Sequence, residues 1–422
     1  MTAGTSSPPP PSWVLANGRL PDGSAVDVTV DGATGTVAAV EDHDPGTLGK
    51  AEVDLQGWLV LPSMVEPHAH LDKALTAELV PNPAGDLQGA IDGWIAASSE
   101  GRLTYEGTVT RAVDAMERLV VHGVTAVRTH VNVNAGGGAE PVKAVKEAVA
   151  LMGDALDVQL VALCGAPLTG SEGASTRAAL AEVLEVGVDF VGGCPHLDPD
   201  GVGVIDTALA AATEAGIGVD LHVDEMLDPS VLTLRDLARR VEETGFDDLV
   251  AASHCVTLGM QPTEVQSEVA TAVAAADIAV FPLPQTNLFL QGRDHPTGTP
   301  RGLTAVRALQ DAGALVAAGA DNVQDPFNLV GRSDPLETAA LMVMAGHQLP
   351  DAAYDMVSVN GRAALGMAPA GVEVGAVADL VAIDAPSIRG AIADAPMSRR
   401  VFRRGRLVAA ADQQLTVHRR RA

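Results

Sequence analysis

Cysteine, aromatic residues and basic charge are all scarce in this 422-residue chain. Its three cysteines, Cys164, Cys194 and Cys255, form no C-x-x-C pair. An odd number of widely spaced cysteines favours a reducing cytoplasm and excludes a disulfide framework. Aromatic residues make up only 3% of the chain. The core must therefore be built from small aliphatic groups, and we expect the cysteines to serve there as small buried hydrophobic side chains.

Acidic residues outnumber basic ones by 54 to 27, which gives a formal net charge of −27. Such a surface repels nucleic acid and anionic membranes, so neither is expected as a partner. No uninterrupted apolar run approaches the ~18 residues of a membrane span. The Ser/Pro-rich segment Met1–Ser12 lacks the apolar core of a secretory signal. We therefore predict a globular cytoplasmic protein, and a homo-oligomer is compatible with the sequence.

Both ends of the chain have the residue pattern of β-strands. In Val26–Val30 three valines alternate with two polar residues, and Asp31-Gly32 follows as a hairpin turn. A similar pattern returns after about residue 368, in Val377–Ile383 and Arg400–Val408. We predict that residues 1–61 and 369–422 together form one small β-sandwich. The basic tail His418–Arg421 is interpreted as solvated.

The central residues, 62–368, alternate apolar strands with Ala-rich helices. Apolar residues three or four apart predict helices, such as the one through Val109, Met116 and Val120 that Gly123 ends. Near-continuous apolar strands indicate a parallel sheet covered by helices. Eight strands over roughly 260 residues favour a closed (β/α)8 barrel, since no G-x-G-x-x-G turn supports an open dinucleotide-binding sheet. The predicted strands are Leu59–Val65, Thr125–Val131, Val158–Cys164, Asp189–Gly193, Gly218–Val223, Leu249–Ser253, Ile278–Leu283 and Ala314–Ala318.

Histidines cluster at the ends of these predicted strands. Six of the eleven lie there: His68, His70, His130, His196, His222 and His254. Residues two apart in an extended chain point the same way, and catalytic groups of a barrel lie at the carboxyl ends of its strands. Three imidazoles and one carboxylate suit Zn²⁺ or Fe²⁺. We therefore assign one divalent metal ion to His68, His70, His222 and Asp321.

Two further residues near this set have side chains suited to acid–base chemistry. Glu225 lies three residues after His222, where a loop can turn its carboxyl group into the same cavity to shuttle protons. His254 can hydrogen-bond the attacking water or a developing oxyanion. His130 and His196 are interpreted either as supports for the ligands or as substrate contacts.

These segments resemble the amidohydrolase superfamily and, within it, the bacterial cytosine deaminase-like branch. The resemblance covers nearly the whole chain. It implies a barrel bearing a small β-sandwich, a mononuclear Fe²⁺ or Zn²⁺ centre, and hydrolytic loss of an amine from a nitrogen heterocycle. It also implies that Glu225 is the proton shuttle and that His254 polarises the water. In our interpretation Asp321 helps to deprotonate that water. The matching segments are Val65–Asp72, Arg128–Val131, Asp220–Glu225, Ala252–His254, Asn287–Arg293, Gly319–Asp321 and Asp325-Pro326.

The chain departs from the cytosine deaminases at two positions that face the substrate. Those enzymes carry a glutamine after the third strand, where this chain has Cys164-Gly165-Ala166-Pro167. Asn322 stands where they carry a second aspartate, which removes a charge and adds hydrogen-bond donors. Lys73 instead resembles relatives that act on N-substituted triazine-type rings. We therefore predict a substrate other than cytosine.

Four residues form the predicted substrate-binding set: Lys73, Asn322, Gln291 and His130. For Lys73 a solvated pair with Asp72 is the other interpretation. The predicted function is a metal-dependent aminohydrolase that acts on a non-peptide C–N bond of a small heterocycle. The exact substrate and the choice between zinc and iron stay open.

Two other functions are compatible with the same residues. A cyclic amidase would open a lactam-type ring and release no free ammonia or amine. A barrel that binds a ligand without turnover would need no proton shuttle, so Glu225 and His254 argue against it.

Overall fold

The computed structural model describes residues 12–418, which form a parallel barrel and a separate sheet. Of the Ser/Pro-rich start only Ser12 falls in this range, and of the basic tail only His418. The interpretations of these two segments therefore concern residues outside the described range. The fifteen strands are β1 (Trp13–Arg19), β2 (Ala25–Asp31), β3 (Thr36–Asp42), β4 (Val53–Asp54), β5 (Leu59–Pro62), β6 (Met64–Ala69), β7 (Val124–Val133), β8 (Asp157–Cys164), β9 (Phe190–Gly193), β10 (Gly218–Val223), β11 (Val250–His254), β12 (Ile278–Phe281), β13 (Leu380–Ile383), β14 (Arg399–Arg403) and β15 (Arg406–Ala411).

The α-helices lie mainly between the barrel strands and after the last of them. They are α1 (Leu87–Ser99), α2 (Tyr105–Val121), α3 (Glu140–Met152), α4 (Ala174–Val186), α5 (Gly201–Ala215), α6 (Thr233–Thr244), α7 (Val256–Gly259), α8 (Thr263–Ala275), α9 (Pro284–Leu290), α10 (Val306–Asp311), α11 (Pro335–Met344), α12 (Pro350–Met356), α13 (Val359–Ala364) and α14 (Ile388–Asp394). As predicted, glycines end several of them, and Gly245 after α6 has the left-handed φ of 65° that favours glycine. Among residues 12–418, none of these helices is long and apolar enough to cross a membrane.

The two chain ends meet in one sheet of eight strands. β5 pairs antiparallel with β13 over four residues on each strand, Leu59–Pro62 against Leu380–Ile383. A bridge between Thr36 and Val377 and a hydrogen bond from Trp13 Nε1 to the Gly405 carbonyl bring the outer strands together. Side chains from both ends then share one apolar core, which includes Leu15, Val28, Leu380 and Phe402. The division of the chain at residues 61 and 369 stays a prediction.

The barrel consists of seven parallel strands in the order of the sequence, β6 to β12. The predicted eighth strand, Ala314–Ala318, forms no regular strand. Instead Val316 bridges to Val280 of β12, and Asp321 bridges to Ala69 of β6. The segment bridges to β12 at its middle residue, Val316, and to β6 only past its end, so no continuous ladder forms. These bridges nevertheless close the barrel, and the predicted fold class is confirmed.

Two predicted strands are each divided in the structure. The apolar run Leu59–Val65 breaks at Ser63, where the chain leaves the end sheet for the barrel. The amide of Ser63 donates to Asp379 beside β13, whereas the amide of Met64 donates to Gly123 beside β7. Arg400–Val408 is a hairpin, because Arg404 and Gly405 adopt φ angles of 48° and 73°. An apolar run in the sequence does not reveal such a change of partner.

Candidate metal centre and active site

The four predicted metal ligands lie at the carboxyl ends of barrel strands. His68 is the penultimate residue of β6, and His70 directly follows that strand. His222 is the penultimate residue of β10. Asp321 joins them through its bridge to Ala69. All four are buried, between 0% and 6% exposed. The barrel therefore brings residues from distant parts of the sequence to one point.

The donor atoms of these side chains converge. His70 Nε2 lies 3.2 Å from Asp321 Oδ1, and His68 Nε2 lies 3.6 Å from the same oxygen. His222 Nε2 lies 3.2 Å from His70 Nε2. Atoms that bind one Zn²⁺ at about 2.0–2.2 Å must approach each other to this extent. This arrangement fits a shared divalent cation.

Several of the converging atoms are buried without a hydrogen-bond partner among the described residues. They are His68 Nε2 and both carboxylate oxygens of Asp321. Unpaired buried polar atoms are costly, and coordination to a cation would satisfy them. Burial lowers the pKa of His70 to about 3 and that of His68 and His222 well below the usual 6.5. The imidazoles are thus neutral, the form that binds metal.

Hydrogen bonds at the far ring nitrogens fix which nitrogen faces the centre. Ser253 Oγ lies 3.3 Å from Asp220 Oδ1, to which it donates, and 2.7 Å from His68 Nδ1, from which it accepts. The Nδ1 of His70 lies 3.1 Å from the carbonyl oxygen of His130 and, in the tautomer that carries its proton on Nδ1, donates to that oxygen. Each Nε2 therefore keeps a free lone pair for a metal.

A buried ion pair between Arg128 and Asp220 supports the hydrogen bonds of Ser253 and His68. Arg128 Nη1 donates to Asp220 Oδ2 at 2.9 Å, and the guanidinium lies 3.8 Å from the centre of the Phe190 ring. Both charged side chains are fully buried. Burial raises the pKa of Asp220 to about 6, although Arg128 opposes the shift. The pair holds in place the carboxylate that orients Ser253.

Glu225 and His254 stand beside the four ligands. His254 Nε2 lies 3.7 Å from Glu225 Oε2 and 4.0 Å from Asp321 Oδ2, and its Nδ1 lies 3.0 Å from Asn287 Oδ1. Burial, with the nearby Asp321, raises the pKa of Glu225 well above its usual range. A carboxyl group with a raised pKa can hold and release a proton near neutral pH.

The backbone around these residues is in unusual conformations. Asp224, His254 and Asp321 have positive φ angles of 51°, 66° and 68°. The Asp224 carboxylate accepts hydrogen bonds from Thr233 and Leu234 at the start of α6, which fixes the turn that carries Glu225. Left-handed backbone at non-glycine residues costs free energy and is concentrated at functional sites.

A cavity of about 600 Å³ opens onto this cluster. Two of the four predicted substrate-binding residues, Lys73 and Asn322, line it. Lys73 Nζ lies 3.0 Å from His70 Nδ1 and 5.9 Å from the ring centres of both Trp94 and Phe327. Asn322 Nδ2 donates to Asp325 Oδ2 at 2.8 Å, which orients its amide group. Lys73 is also 3.8 Å from Asp72, but it is buried, so the pair is not solvated.

Gln291 and His130, the other two predicted substrate contacts, lie outside the cavity wall. Gln291 Nε2 donates to the backbone oxygen of Glu225 at 3.0 Å. His130 stacks on His68 with ring centres 4.0 Å apart and faces Asp220 at 3.5 Å. His196 is similar, with its Nδ1 3.2 Å from the carbonyl oxygen of His222. Gln291, His130 and His196 therefore contact residues of the site on the side away from the cavity.

The structure also brings to the site residues to which the sequence assigned no catalytic or binding role. Cys164 and Cys194 line the cavity, and Cys194 is only half-buried, whereas Cys164 and Cys255 are buried. Helix α1, which was not among the predicted helices, contributes Trp94. Its sequence signal was the apolar spacing after Asp86. Ser253 and Asp220 lie within recognised motifs, but nothing in those motifs shows that they contact each other.

Comparison with known proteins agrees with this geometry. The model of the amidohydrolase family matches residues 96–409. Pterin deaminase from Rhizobium rhizogenes is 30% identical over 420 residues, which cover 96% of this chain and 95% of that protein. N-isopropylammelide isopropyl amidohydrolase from Pseudomonas sp. is 26% identical over an alignment that covers 88% of this chain and 91% of that protein. The crystal structure of 5-methylcytosine deaminase from Klebsiella pneumoniae liganded with 5-fluorocytosine has a TM-score of 0.86 at 28% identity, over 96% of this chain and 99% of that one.

The closed barrel and the acid–base groups at its strand ends define a hydrolytic enzyme. The chain belongs to the amidohydrolase family. The predicted family resemblance, fold class and enzyme class are therefore confirmed.

Proposed function

We propose that the protein is a metal-dependent deaminase that hydrolyses an exocyclic amino group of a small nitrogen heterocycle other than cytosine. The observation that carries the proposal is the placement of Glu225 and His254 beside four converging ligands. Two of these ligands, His68 and Asp321, have buried donor atoms without a hydrogen-bond partner among residues 12–418. The likeness to deaminases of pterin and 5-methylcytosine supports the same reaction.

His68, His70, His222 and Asp321 would hold one divalent ion, Zn²⁺ or Fe²⁺. Such an ion supplies Lewis-acid chemistry and lowers the pKa of water toward about 7. Three neutral imidazoles and a carboxylate suit either metal. The small number of cysteines supports the reducing cytoplasm as the compartment in which the enzyme works.

The protein's own residues then handle the protons. Asp321 Oδ2 and His254 Nε2, 4.0 Å apart, bracket a position for the attacking water, where Asp321 can accept a proton and His254 can hold the oxygen. Glu225 can give its proton to the ring nitrogen, take up the remaining proton of the attacking oxygen and pass it to the departing amine. The proton that Asp321 accepted from the water can then restore the Glu225 carboxyl group. Water and the amino compound are consumed, and ammonia and a ring carbonyl compound are formed.

Two residues beside the metal ligands, Lys73 and Asn322, can orient the ring. Lys73 can donate to a ring oxygen or nitrogen beside the reacting carbon, and Asn322 can both donate and accept. Gln291 and His130 are given supporting roles, through the backbone of Glu225 and through His68.

The experiment is ammonia release by the purified protein loaded separately with Zn²⁺ and Fe²⁺, with the bound metal counted. Pterin, aminotriazines and cytosine are the compounds to compare. We expect ammonia from at least one fused or substituted ring, little from cytosine, and about one metal per chain. A ring-opened product without ammonia would identify a cyclic amidase, and binding without turnover would contradict the proposal.

A further inference from the structure

Helix α1 turns its large apolar side chains toward the cavity. Leu87, Ile91, Trp94 and Ile95 follow each other at helical spacing and lie on one face, and all four line the cavity above the metal ligands. These four side chains are called the apolar wall below. Ile95, at the rim, is 61% exposed.

A second face of α1 carries the small residues Ala90, Gly93 and Ala97, and this face packs against the protein. Ala90 and Ala97 are fully buried. Gly93 lies so close to the preceding loop that an added Cβ would be 2.9 Å from the carbonyl oxygen of Pro81. In an ordinary surface helix the large apolar side chains face the core. In α1 the arrangement is reversed.

The apolar wall takes no part in the hydrophobic core. Over residues 12–418, none of the hydrophobic clusters includes a residue of the wall, even among the partly buried side chains packed against them. The burial of this wall therefore adds little to the stability of the fold. Exposed apolar surface that lines a cavity is typical of a ligand-binding site.

Hydrogen bonds hold α1 in position over the cavity. Asp86 caps the helix by accepting from the amide of Gly89 at 2.7 Å. Asn82 Nδ2 donates both to the carbonyl oxygen of Asp86 and to that of Pro326, which precedes Phe327, another residue of the cavity lining. The wall and Phe327 are thus tied to each other near the Lys73 ammonium group, which lies 5.9 Å from the ring centres of both Trp94 and Phe327.

The size of the cavity points in the same direction. Its volume of about 600 Å³ falls within the range of about 300–1,000 Å³ that encloses a drug-sized ligand. A single six-membered ring held at Glu225 and His254 would leave most of this space unfilled. The remaining space is bounded by apolar side chains.

We propose that the apolar wall of α1 recognises an apolar extension of the substrate, either a second fused ring or an alkyl group, which rests on Ile91 and Trp94. This inference rests on the proposed deaminase function and narrows its substrate class. The reacting ring would lie at the strand ends, and the extension would point outward along α1. A single-ring compound would leave the wall in contact with water.

The test uses four probes: cytosine as a single ring, pterin as a fused ring, and 6-propylpterin and 7-propylpterin as alkylated fused rings. The metal-loaded enzyme should show a kcat/KM that rises from cytosine to pterin and again to at least one propylpterin. Each methylene that rests on the wall should tighten binding about threefold to fourfold. Trp94→Ala and Ile91→Ala should remove most of this preference.

Leu151→Ala is the matched control, since Leu151 is an apolar residue on α3 that is 66% exposed and does not line the cavity. It should keep the wild-type preference. Equal losses for all four probes in Trp94→Ala, or a preference for cytosine, would overturn the inference.

Dissociation constants of the same probes, measured calorimetrically in Glu225→Gln, separate the two proposals. If no probe releases ammonia, the deaminase proposal fails, and the constants still report whether the wall binds the extension. If the propyl group tightens binding equally with and without Trp94, the wall is not its site.

Discussion

The two sides of the cavity are built in different ways. The polar wall, whose side chains are His70, His222, Glu225, His254 and Asp321, lies at the barrel strand ends and is at most 6% exposed. His68, which does not line the cavity, packs beside these side chains and is tied to the barrel by its hydrogen bond to Ser253. The apolar wall lies on a connecting helix, outside the hydrophobic core.

Because of this difference, the residues that carry out the reaction and the residues that select the substrate lie on separate parts of the fold. Catalytic groups need fixed distances, and strands packed on both faces provide them. A connecting segment can change its side chains with little effect on the core, so it is suited to vary the substrate that is accepted. The following predictions test this separation, from the largest expected effect to the smallest.

Glu225→Gln should lower kcat about 10²- to 10⁴-fold, because the amide cannot carry the proton that the carboxyl group shuttles. The bound metal should stay unchanged, since Glu225 is not one of the four converging ligands. Ammonia release and metal analysis measure both quantities. Glu264→Gln, on the exposed surface of α8, is the control and should keep full activity. A kcat within tenfold of the wild type would show that another group moves the proton.

Ser253→Ala should weaken metal binding about 10- to 100-fold, because His68 loses the partner that holds its Nδ1. Competition with a chelator measures this affinity. Ser358→Ala is matched to it, as Ser358 is also buried and donates to the carbonyl oxygen of Tyr354 away from the site. That control should lose about 1 kcal/mol of stability and keep its metal. Equal metal affinity in the two variants would contradict the assigned network.

Lys73→Met should raise KM about tenfold with a smaller change in kcat, because a hydrogen bond from a charged group to the ring is lost. Lys73 stands where the two walls meet, so its loss should affect single-ring and extended substrates alike. Steady-state kinetics with pterin and 6-propylpterin measure this. Lys146→Met, which removes a lysine that donates to Val186 and Gly187, is the control and should leave KM unchanged. A loss confined to the propyl compound would place Lys73 in the apolar wall.

His196→Asn should make stability less dependent on pH. Burial lowers the pKa of His196 to about 4, so the unfolded chain binds a proton first as the pH falls. The free energy of unfolding should therefore decrease between about pH 6.5 and pH 4 in the wild type, and this decrease should be smaller in the variant. Denaturant titrations at pH 6.5 and 4.5 measure it. Ile91→Ala in the apolar wall titrates nothing and should change stability equally at both pH values.

Much of the polar wall could be predicted from the sequence. An H-x-H pair after an apolar run, and His222 and His254 at the ends of two more, imply convergence once a barrel is assumed. The strand Gly218–Val223 was predicted with its observed bounds. The directions of Gln291 and His130 could not be predicted. His130 lies within β7 and Gln291 directly follows α9, and both side chains point behind the site.

The apolar wall could not be predicted from the sequence, for a different reason. Leu87, Ile91 and Trp94 have the spacing of a helix that packs on a core, and the sequence does not show that the small face of α1 does so instead. The division of Leu59–Val65 between two sheets could not be predicted either, because the sequence of an apolar strand does not show which sheet it joins.

The most direct test of this separation is the ratio of kcat/KM for the better propylpterin to that for pterin, measured in the wild type, Glu225→Gln and Trp94→Ala. We predict that Glu225→Gln lowers both values and keeps the wild-type ratio, whereas Trp94→Ala brings the ratio close to one. A ratio that changes in Glu225→Gln, or that survives in Trp94→Ala, would contradict the assignment of chemistry and selectivity to separate walls.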